Sequence, residues 1–438
     1  MTLTDIYEIY KQHPIITTDT RQCEKGSVFF ALKGASFDGN QFASKALEAG
    51  CAYAVVDDKS VVEEGDARYI QVDNVLDTLQ QLAQLHRKSL SIPILQITGT
   101  NGKTTTKELV SAVLAKKFNV LFTQGNLNNH IGVPRTLLRI RPEHEVAVVE
   151  TGANHPGEIA FLCQMVQADY GLITNVGRAH LEGFGSFEGV KRTKGELYDD
   201  LKKRGCKAFL NEADDDLRGM AQERGLGILP YVEGCVKDCS SFLTVQWREN
   251  HADNWHCIST KLVGAYNIAN VRAAISVGLA FSITPADIND AISEYTPTNS
   301  RSEFRLTPNN KLIVDAYNAN PSSMKVALDN FELISEARKM VILGMMAELG
   351  EASRSEHETI IDRLLSSQTP GTDKFIDRVW LVGGEFAKVM PQPSPQGWHI
   401  FADAEEVKER LKDDKPQGYI ILIKGSNSQK LFQLPDLL

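Results

Sequence analysis

The stretch LQITGTNGKTTTKELVSAVL, residues 95–114, constrains the fold of this 438-residue chain more than any other segment. An apolar run ends at two glycines that flank a Thr-Asn pair, and an amphipathic segment follows at once. A buried strand that leads into a glycine turn and then into a helix is the context of a phosphate-binding loop. The stretch therefore predicts such a loop at the edge of an α/β sheet.

The residue types of this loop suit a nucleotide phosphate. Gly99 and Gly102 would let backbone N–H groups converge on phosphate oxygens, and Lys103 would bring a positive charge to the β- and γ-phosphates. Thr104 would offer its hydroxyl to Mg²⁺. Only two residues separate the glycines, where the common loop has four. The alternative is an ordinary glycine turn beside a surface lysine. The remaining predicted loop residues are Thr100, Asn101 and Thr105.

Apolar runs alternate with helix-like segments along the whole chain, which predicts an α/β protein with parallel sheets. At this length two or three domains are expected. We predict a small N-terminal α/β domain over 1–90, a central phosphate-loop domain with a parallel sheet over 91–297, and a C-terminal Rossmann-like domain over 298–438. The third domain has no G-x-G-x-x-G after its first strand, so a dinucleotide is not indicated.

The charge balance points to small-molecule partners. The chain has 47 basic and 56 acidic residues, a net charge of −9, which argues against non-specific binding to nucleic acid or to an anionic membrane. No run approaches the roughly 20 apolar residues that cross a bilayer, and the N-terminus does not resemble a signal peptide. Seven scattered cysteines do not form a disulfide pattern. We expect a cytoplasmic protein.

Three further side chains are candidates for a metal site. The apolar strand EVAVVE ends in Glu150, where a parallel sheet delivers side chains to a site at its edge. His180 follows another apolar strand, and Lys194 lies in a helix-like segment. Taken singly, each has an ordinary explanation: a strand-end carboxylate in solvent, a structural histidine and a solvated lysine.

Taken together, the motifs resemble those of the Mur ligase family, the ATP-dependent amide-bond-forming enzymes of peptidoglycan synthesis. The matching segments occur in order along nearly the whole chain: TDTR, ALKGASFDGNQF, GTNGKTTT, the strand-end Glu150, NVGRAHLE, KGE, GAYNIANVRAA, SRSE, DAYNANPSSM and KGS. The resemblance implies the three-domain fold, ATP and two Mg²⁺ ions as cofactors, and a phosphate loop with the shortened spacing seen here.

The resemblance also assigns roles. It implies that Glu150 and His180 ligate a second Mg²⁺ and that Lys194 is carbamylated, which converts a donor-only ammonium into an oxygen ligand. Asn267 and Asn270 match a pair that recognises adenine. Arg301 matches a position that, in the family, holds the nucleotide from the third domain. The remaining matches are Asp315 for the nucleotide, Thr20, Arg21, Lys33 and Asp38 for the UDP-linked substrate, and Asn318, Asn320, Lys424 and Ser426 for the incoming amino component.

The segment DAYNANPSSM resembles the signature of the member that adds D-alanyl-D-alanine to UDP-MurNAc-tripeptide, so these two substrates are the expected partners of a monomeric enzyme. The alternative is the member that adds the third amino acid to UDP-MurNAc-dipeptide, which carries a Tyr-Ala-His-type sequence at this place. Three positions depart from the usual pattern: Tyr266, Met345 and Asn427. The identity of the tripeptide's third residue, lysine or diaminopimelate, stays open.

Two rival classes also bind phosphate. A nucleotide switch or kinase would share the loop, because a phosphate loop shows only that phosphate binds. A folylpolyglutamate synthetase would share the ligase chemistry, but the UDP-type pattern of the first domain argues against it. A ligase differs from a switch in releasing phosphate only when both of its other substrates are present.

Overall fold

The computed structural model describes residues 1–34, 36–249, 251–298, 301–367 and 375–438. The predicted linker around residue 298 includes Asn299 and Ser300, which lie outside the described residues.

The N-terminal part is a four-stranded parallel sheet with three helices. Its strands pair in chain order and are β1 (Ile16–Thr17), β2 (Val28–Phe30), β3 (Tyr53–Val56) and β4 (Tyr69–Gln71). The helices are α1 (Leu3–Gln12), α2 (Ala43–Glu48) and α3 (Val75–Ser89). The apolar side of α3 packs into a core that continues into the next sheet, so the two parts share one apolar cluster.

The central sheet has six parallel strands in the order β10-β9-β8-β5-β7-β6. The strands are β5 (Ile94–Thr98), β6 (Val120–Phe122), β7 (Val146–Glu150), β8 (Tyr170–Ile173), β9 (Lys207–Leu210) and β10 (Gly227–Pro230). The helices are α4 (Lys103–Leu114), α5 (Gly132–Leu137), α6 (Glu158–Val166), α7 (Leu181–Phe184), α8 (Phe187–Arg204) and α9 (Asp215–Glu223).

The strand order explains why the site forms here. β5 lies between β7 and β8, and β5 and β7 are buried along their whole length. The carboxyl ends of parallel strands meet at one edge, so the segments that follow these three strands converge. Separate apolar clusters cover the two faces of the sheet. The predicted parallel sheet with both faces covered is confirmed.

An antiparallel sheet that the sequence patterns did not predict completes the central part. It consists of β11 (Glu233–Asp238), β12 (Thr244–Arg248) and β13 (His256–Ser259), followed by α10 (Ile268–Ala280) and α11 (Pro285–Glu294). Trp247, at the centre of this sheet, is fully buried against the core that covers α4 and α10.

The C-terminal sheet has six strands in the order β14-β15-β19-β16-β17-β18, and only the edge strand β14 is antiparallel. The strands are β14 (Glu303–Leu306), β15 (Lys311–Asp315), β16 (Lys339–Gly344), β17 (Arg378–Val382), β18 (Trp398–Phe401) and β19 (Ile420–Lys424). The helices are α12 (Pro321–Glu332), α13 (Ser353–Ser366), α14 (Gly384–Val389) and α15 (Ala404–Asp413). Within the described parts of the chain, no helix is both long and apolar enough to span a bilayer.

Candidate active site

A cavity of about 1300 Å³ lies between the central and C-terminal sheets. Its wall includes the phosphate loop, the end of β7, the segment after β8, the start of α10 and loops of the third domain, with Gln80 of α3 at one side. The predicted site residues that line it are Thr100, Asn101, Gly102, Lys103, Thr105, Glu150, His180, Asn267, Asn270, Arg301, Asp315, Asn318, Asn320, Lys424 and Ser426. Residues that are far apart in the sequence therefore share one chamber.

The phosphate loop adopts a conformation that requires both of its glycines. β5 ends at Thr98 and α4 begins at Lys103, as the sequence predicts. Gly99 has φ +141° and Gly102 has φ +78°, where side chains are rarely tolerated. A Cβ on Gly99 would lie 2.0 Å from the Thr174 hydroxyl oxygen, and one on Gly102 would lie 2.7 Å from Asn270 Oδ1. Glycine is therefore needed for space as well as for backbone shape.

Lys103 is held inside this loop. Its Nζ donates to the carbonyl oxygens of Gly99, at 2.8 Å, and Thr100, at 2.9 Å. Desolvation by the surrounding protein lowers the pKa of Lys103 to about 8, although Glu150 favours its charged form. The ammonium thus lies at the cavity wall without a carboxylate bound directly to it, and it can exchange the two carbonyls for phosphate oxygens.

Glu150 presents a partly unsatisfied carboxylate at the end of β7. Its Oε1 accepts hydrogen bonds from Asn128 Nδ2, at 2.8 Å, and from the Thr104 hydroxyl, at 3.3 Å. Its buried Oε2 has no hydrogen bond among the described residues, but it forms an ion pair with Lys107 Nζ at 3.8 Å. A buried carboxylate oxygen without a hydrogen bond is energetically costly, and a cation bound directly to it would offset that cost. The residues present therefore fit a Mg²⁺ ion.

Lys194 is buried on α8 with few polar neighbours. Its Nζ lies 3.4 Å from the Ala153 carbonyl oxygen and 5.4 Å from the centre of the Phe184 ring. Burial, and secondarily the charge of Lys103, lowers the pKa of Lys194 to about 7. A substantial neutral fraction is therefore present near neutral pH, and a neutral amine is the form that reacts with CO₂. The environment of Lys194 suits carbamylation.

We expect Lys194→Met to stabilise the protein without bicarbonate or substrates. Burying an ammonium with a folded-state pKa near 7 opposes folding, by about 1.4 kcal/mol per unit below the unfolded value. The penalty is complete below pH 7 and disappears as the pH approaches 10.5, so the gain in unfolding free energy should shrink over that range. Urea unfolding of both proteins at pH 6.5 and 9.5 measures it. Lys191→Met on the same helix, whose Nζ pairs with Asp216 at 2.8 Å, is the control and should not show this gain.

His180 lies where the segment after β8 turns into α7. Its backbone φ is +50°, in the left-handed region, and its Nδ1 contacts the carboxylate of Glu348 from the third domain. Burial lowers the pKa of His180. Among the described residues, no group of three or more His, Cys, Asp or Glu side chains is arranged to hold a metal. A metal ion bound by Glu150 and His180 would thus need a further oxygen ligand that is not a His, Cys, Asp or Glu side chain.

The residues matched to nucleotide recognition are ordered by hydrogen bonds. Asn267 Nδ2 donates to the Val263 carbonyl at 2.8 Å, and its Oδ1 accepts from Asn270 Nδ2 at 2.9 Å. The Thr106 hydroxyl donates to Asn270 Oδ1 at 3.0 Å. The two amides are therefore held in fixed orientations at the start of α10.

Arg301 reaches the cavity from the linker. Its guanidinium lies 3.8 Å from the centre of the Tyr317 ring, and its buried Nε has no hydrogen-bond partner among the described residues. Stacking keeps the plane of the guanidinium fixed while leaving donors available, which suits an anionic ligand. Asp315, at the end of β15, accepts from Lys424 Nζ at 2.5 Å.

The four candidates for the amino component lie on the wall formed by the third domain. Asn320 caps α12 by accepting from the Ser323 N–H at 2.8 Å, and its Nδ2 donates to Asn101 Oδ1 of the phosphate loop at 2.8 Å. Lys424 also donates to the Asn318 carbonyl at 3.2 Å, and the Ser426 hydroxyl donates to the Met345 carbonyl at 3.0 Å. The phosphate loop and the third domain are therefore in direct contact.

The first-domain candidates do not line the cavity. Arg21 makes a two-pronged ion pair with Asp19, at 2.7 Å for the shortest contact, and Lys33 Nζ lies 3.0 Å from Asp57. Asp38 accepts from the Asn40 N–H at 2.9 Å. Thr20 starts a short turn of 3₁₀ helix. Most predicted site residues of the central and C-terminal domains line one cavity, whereas the four predicted residues of the N-terminal domain do not. Three predicted residues of the central domain also lie outside the cavity lining: Gly99, Thr104 and Lys194.

Sequence reasoning missed several residues of the site. Asn128, in GNLNNH, binds Glu150, and Glu348, in MMAELG, contacts His180. Neither residue could be recognised from its local sequence, because each lies in a loop without a distinctive charge pattern. Of the three departures, Tyr266 and Asn427 line the cavity, whereas Met345 does not. The Tyr266 hydroxyl lies 2.7 Å from the Ser302 hydroxyl.

Known protein families match most of the chain. The family described as "Mur ligase family, catalytic domain" matches residues 14–87, the "Mur ligase middle domain" matches 97–278, and the "Mur ligase, glutamate ligase domain" matches 300–427. The three matches follow one another in the order of the three sheets.

Individual relatives are similar over nearly their full length. The UDP-N-acetylmuramoyl-tripeptide--D-alanyl-D-alanine ligase of Bacillus subtilis is 34% identical over 96% of this chain and 92% of its own. The enzyme of the same name from Escherichia coli is 33% identical over 94% and 91%. A crystal structure of MurF from Acinetobacter baumannii superposes with a TM-score of 0.83 at 28% identity, over 96% of this chain and 92% of that one. The chain belongs to the Mur ligase family, in the group of the UDP-N-acetylmuramoyl-tripeptide--D-alanyl-D-alanine ligases.

Proposed function

We propose that this chain is the ATP-dependent, ADP-forming ligase that joins D-alanyl-D-alanine to UDP-MurNAc-tripeptide. One observation carries the proposal: the phosphate loop and the DAYNANP segment of the third domain line the same cavity and are joined by the contact between Asn101 and Asn320. The names of the relatives at 34% and 33% identity favour the dipeptide-adding reaction over the addition of a third amino acid.

The reaction has two steps. A carboxylate oxygen of the tripeptide attacks the γ-phosphorus of ATP, the bond to the β,γ-bridging oxygen breaks, and ADP leaves an acyl phosphate. The amine of D-alanyl-D-alanine then attacks the acyl carbon, loses a proton and expels phosphate through a tetrahedral intermediate. Neither step needs a covalent bond to the protein, so the protein must chiefly align the reactants and balance their charge.

The loop residues would bind the triphosphate. The N–H groups around Gly99 and Gly102 and the ammonium of Lys103 would balance charge on the β- and γ-phosphates. Bound Mg²⁺ supplies further charge neutralisation between phosphate and carboxylate. Thr104 and Glu150 would hold one ion, and Glu150, His180 and a carbamylated Lys194 a second. Two observations support this assignment: Glu150 Oε2 has no hydrogen bond among the described residues, and the pKa of Lys194 is lowered.

The remaining predicted residues would position substrates. Asn267 and Asn270 would meet the adenine edge, while Arg301 and Asp315 would hold the nucleotide from the third domain. The dipeptide would bind beside Asn318, Asn320, Lys424 and Ser426, and the UDP end of the substrate beside Thr20, Arg21, Lys33 and Asp38. We divide the chain functionally at residues 90 and 297. We place the enzyme, as a monomer, in the cytoplasm, where its free cysteines would stay reduced.

A four-way phosphate-release assay tests the function. We expect ADP and phosphate to form when ATP, UDP-MurNAc-tripeptide and D-alanyl-D-alanine are all present, and to fall to background when either of the last two is omitted. Release that needs neither of them would instead identify a nucleotide switch. Tripeptides with lysine or diaminopimelate as the third residue, compared in the same assay, identify the preferred substrate.

A further inference from the structure

The segment that carries His180 is held on one side by the third domain. The Glu348 carboxylate contacts His180 Nδ1, across 168 residues of sequence. The Glu348 carbonyl oxygen also accepts from the Glu182 N–H at 3.3 Å. The Arg178 N–H donates to the Ser322 hydroxyl at 2.8 Å. Both the side chain and the backbone of Glu348 therefore contact the segment of the central domain that follows β8.

The backbone at this contact is unusual on both sides. His180 has φ +50° and Glu348 has φ +60°, in the left-handed region that residues other than glycine seldom occupy. Such a conformation is unfavourable for these residue types and persists where its surroundings fix it. Here the strained backbone of each residue brings its side chain to the other. The backbone of both residues therefore fixes the contact between Glu348 and His180 in the docked domains.

We propose that Glu348 is a positioning residue that orients the His180 ring through Nδ1 and so completes the metal site when the third domain docks. The proposal rests on the proposed function, in which His180 is a ligand. A carboxylate that accepts from one ring nitrogen fixes the tautomer and leaves the other nitrogen free to bind a cation. Because the Glu348 carboxylate belongs to the third domain, the orientation of the His180 ring depends on the docking of that domain.

Among the contacts of the described residues, the Glu348 carboxylate bonds to His180 alone. Its side chain is 51% exposed and lines the cavity, whereas the neighbouring ion pair between Arg178 Nε and Glu356, at 3.2 Å, joins the same domains without touching His180. Glu348 and Glu356 thus provide a matched pair of positions for substitution. One contacts the predicted ligand, and the other only strengthens docking.

Binding of Mn²⁺, used as a probe for Mg²⁺, tests the proposal. Glu348→Ala, Glu348→Gln and Glu356→Gln are titrated with Mn²⁺ in the presence of ADP and bicarbonate, and free Mn²⁺ is followed by electron paramagnetic resonance. Loss of a partner that orients a metal ligand typically costs 10- to 100-fold in metal affinity. We expect Glu348→Ala to weaken one class of sites by at least about tenfold, Glu348→Gln to weaken it less, because its amide oxygen still accepts, and Glu356→Gln to match wild type.

Mn²⁺ affinity in both Glu348 variants equal to that of wild type would overturn the proposal. So would normal Mn²⁺ binding with a raised KM for D-alanyl-D-alanine alone, because Glu348 would then bind substrate. Circular dichroism and melting temperature verify that each variant is folded. The outcome is separable from the proposed function, since metal binding is measured without the peptide substrates, whereas a wild-type protein that fails the four-way assay would reject the function itself.

Discussion

Lys103→Ala is expected to reduce ADP and phosphate formation on the order of 10²- to 10³-fold, the usual effect of removing one donor that stabilises developing charge. Lys103 Nζ is already poised at the cavity wall by the carbonyls of Gly99 and Thr100. Substitution leaves the glycine loop able to bind phosphate but removes the charge that balances the β- and γ-phosphates in the transition state. The loss should therefore appear mainly in kcat, with a smaller change in KM for ATP.

A second lysine, two residues beyond the C-terminal end of α4, provides the control. Lys116 pairs with Glu294 at 2.9 Å near the surface, so Lys116→Ala should retain wild-type turnover. Lys103→Arg tests whether charge alone suffices, and we expect it to remain strongly impaired because the planar guanidinium cannot occupy the space between the two carbonyls. Turnover by Lys103→Ala within a factor of three of wild type would remove Lys103 from the proposed mechanism.

Lys194→Ala is expected to lose activity to a similar extent, and added bicarbonate should not restore it. Lys194 is buried, and among the described residues its Nζ contacts one carbonyl oxygen and an aromatic ring and forms no ion pair. Its charge therefore does not stabilise the described fold through an ion pair. The proposed role depends on its conversion to a carbamate, which alanine cannot undergo. Lys191→Ala, on the same helix, removes an ordinary ion pair with Asp216 and should remain active.

The carbamate itself can be observed apart from turnover. Incubation of the wild-type protein with ¹³C-bicarbonate should give a carbamate carbon resonance that is absent from Lys194→Ala. The resonance should strengthen as the pH rises through about 7, because the neutral amine is the reactive form. An active Lys194→Ala enzyme, or an identical resonance in both proteins, would reject this role.

The local features of the site were predictable because their chemistry is local. Two glycines and a lysine between an apolar run and a helix specify the loop that joins β5 to α4, and Lys103 begins the helix as predicted. Glu150 ends its strand for the same reason: an apolar run that stops at a carboxylate marks the edge of a buried sheet. These predictions needed only the segment around each residue.

The relations between distant segments were not predictable from local patterns. The contact of Glu348 with His180 depends on how the third domain docks, and no spacing in the sequence encodes it. The antiparallel sheet β11–β13 was missed because its outer strands are largely exposed or half-buried, with little apolar alternation. The resemblance to a family supplied the role of Lys194, which appears in the sequence as an ordinary helical lysine.

Isotope labelling tests most directly whether the tripeptide carboxylate attacks the γ-phosphorus of ATP. UDP-MurNAc-tripeptide labelled with ¹⁸O in its terminal carboxylate is incubated with ATP, D-alanyl-D-alanine and the protein, and the products are analysed by mass spectrometry. If the carboxylate attacks the γ-phosphorus, the released phosphate carries one ¹⁸O and the UDP-MurNAc-pentapeptide has lost one. Phosphate without ¹⁸O, or phosphate release without pentapeptide, would contradict the account.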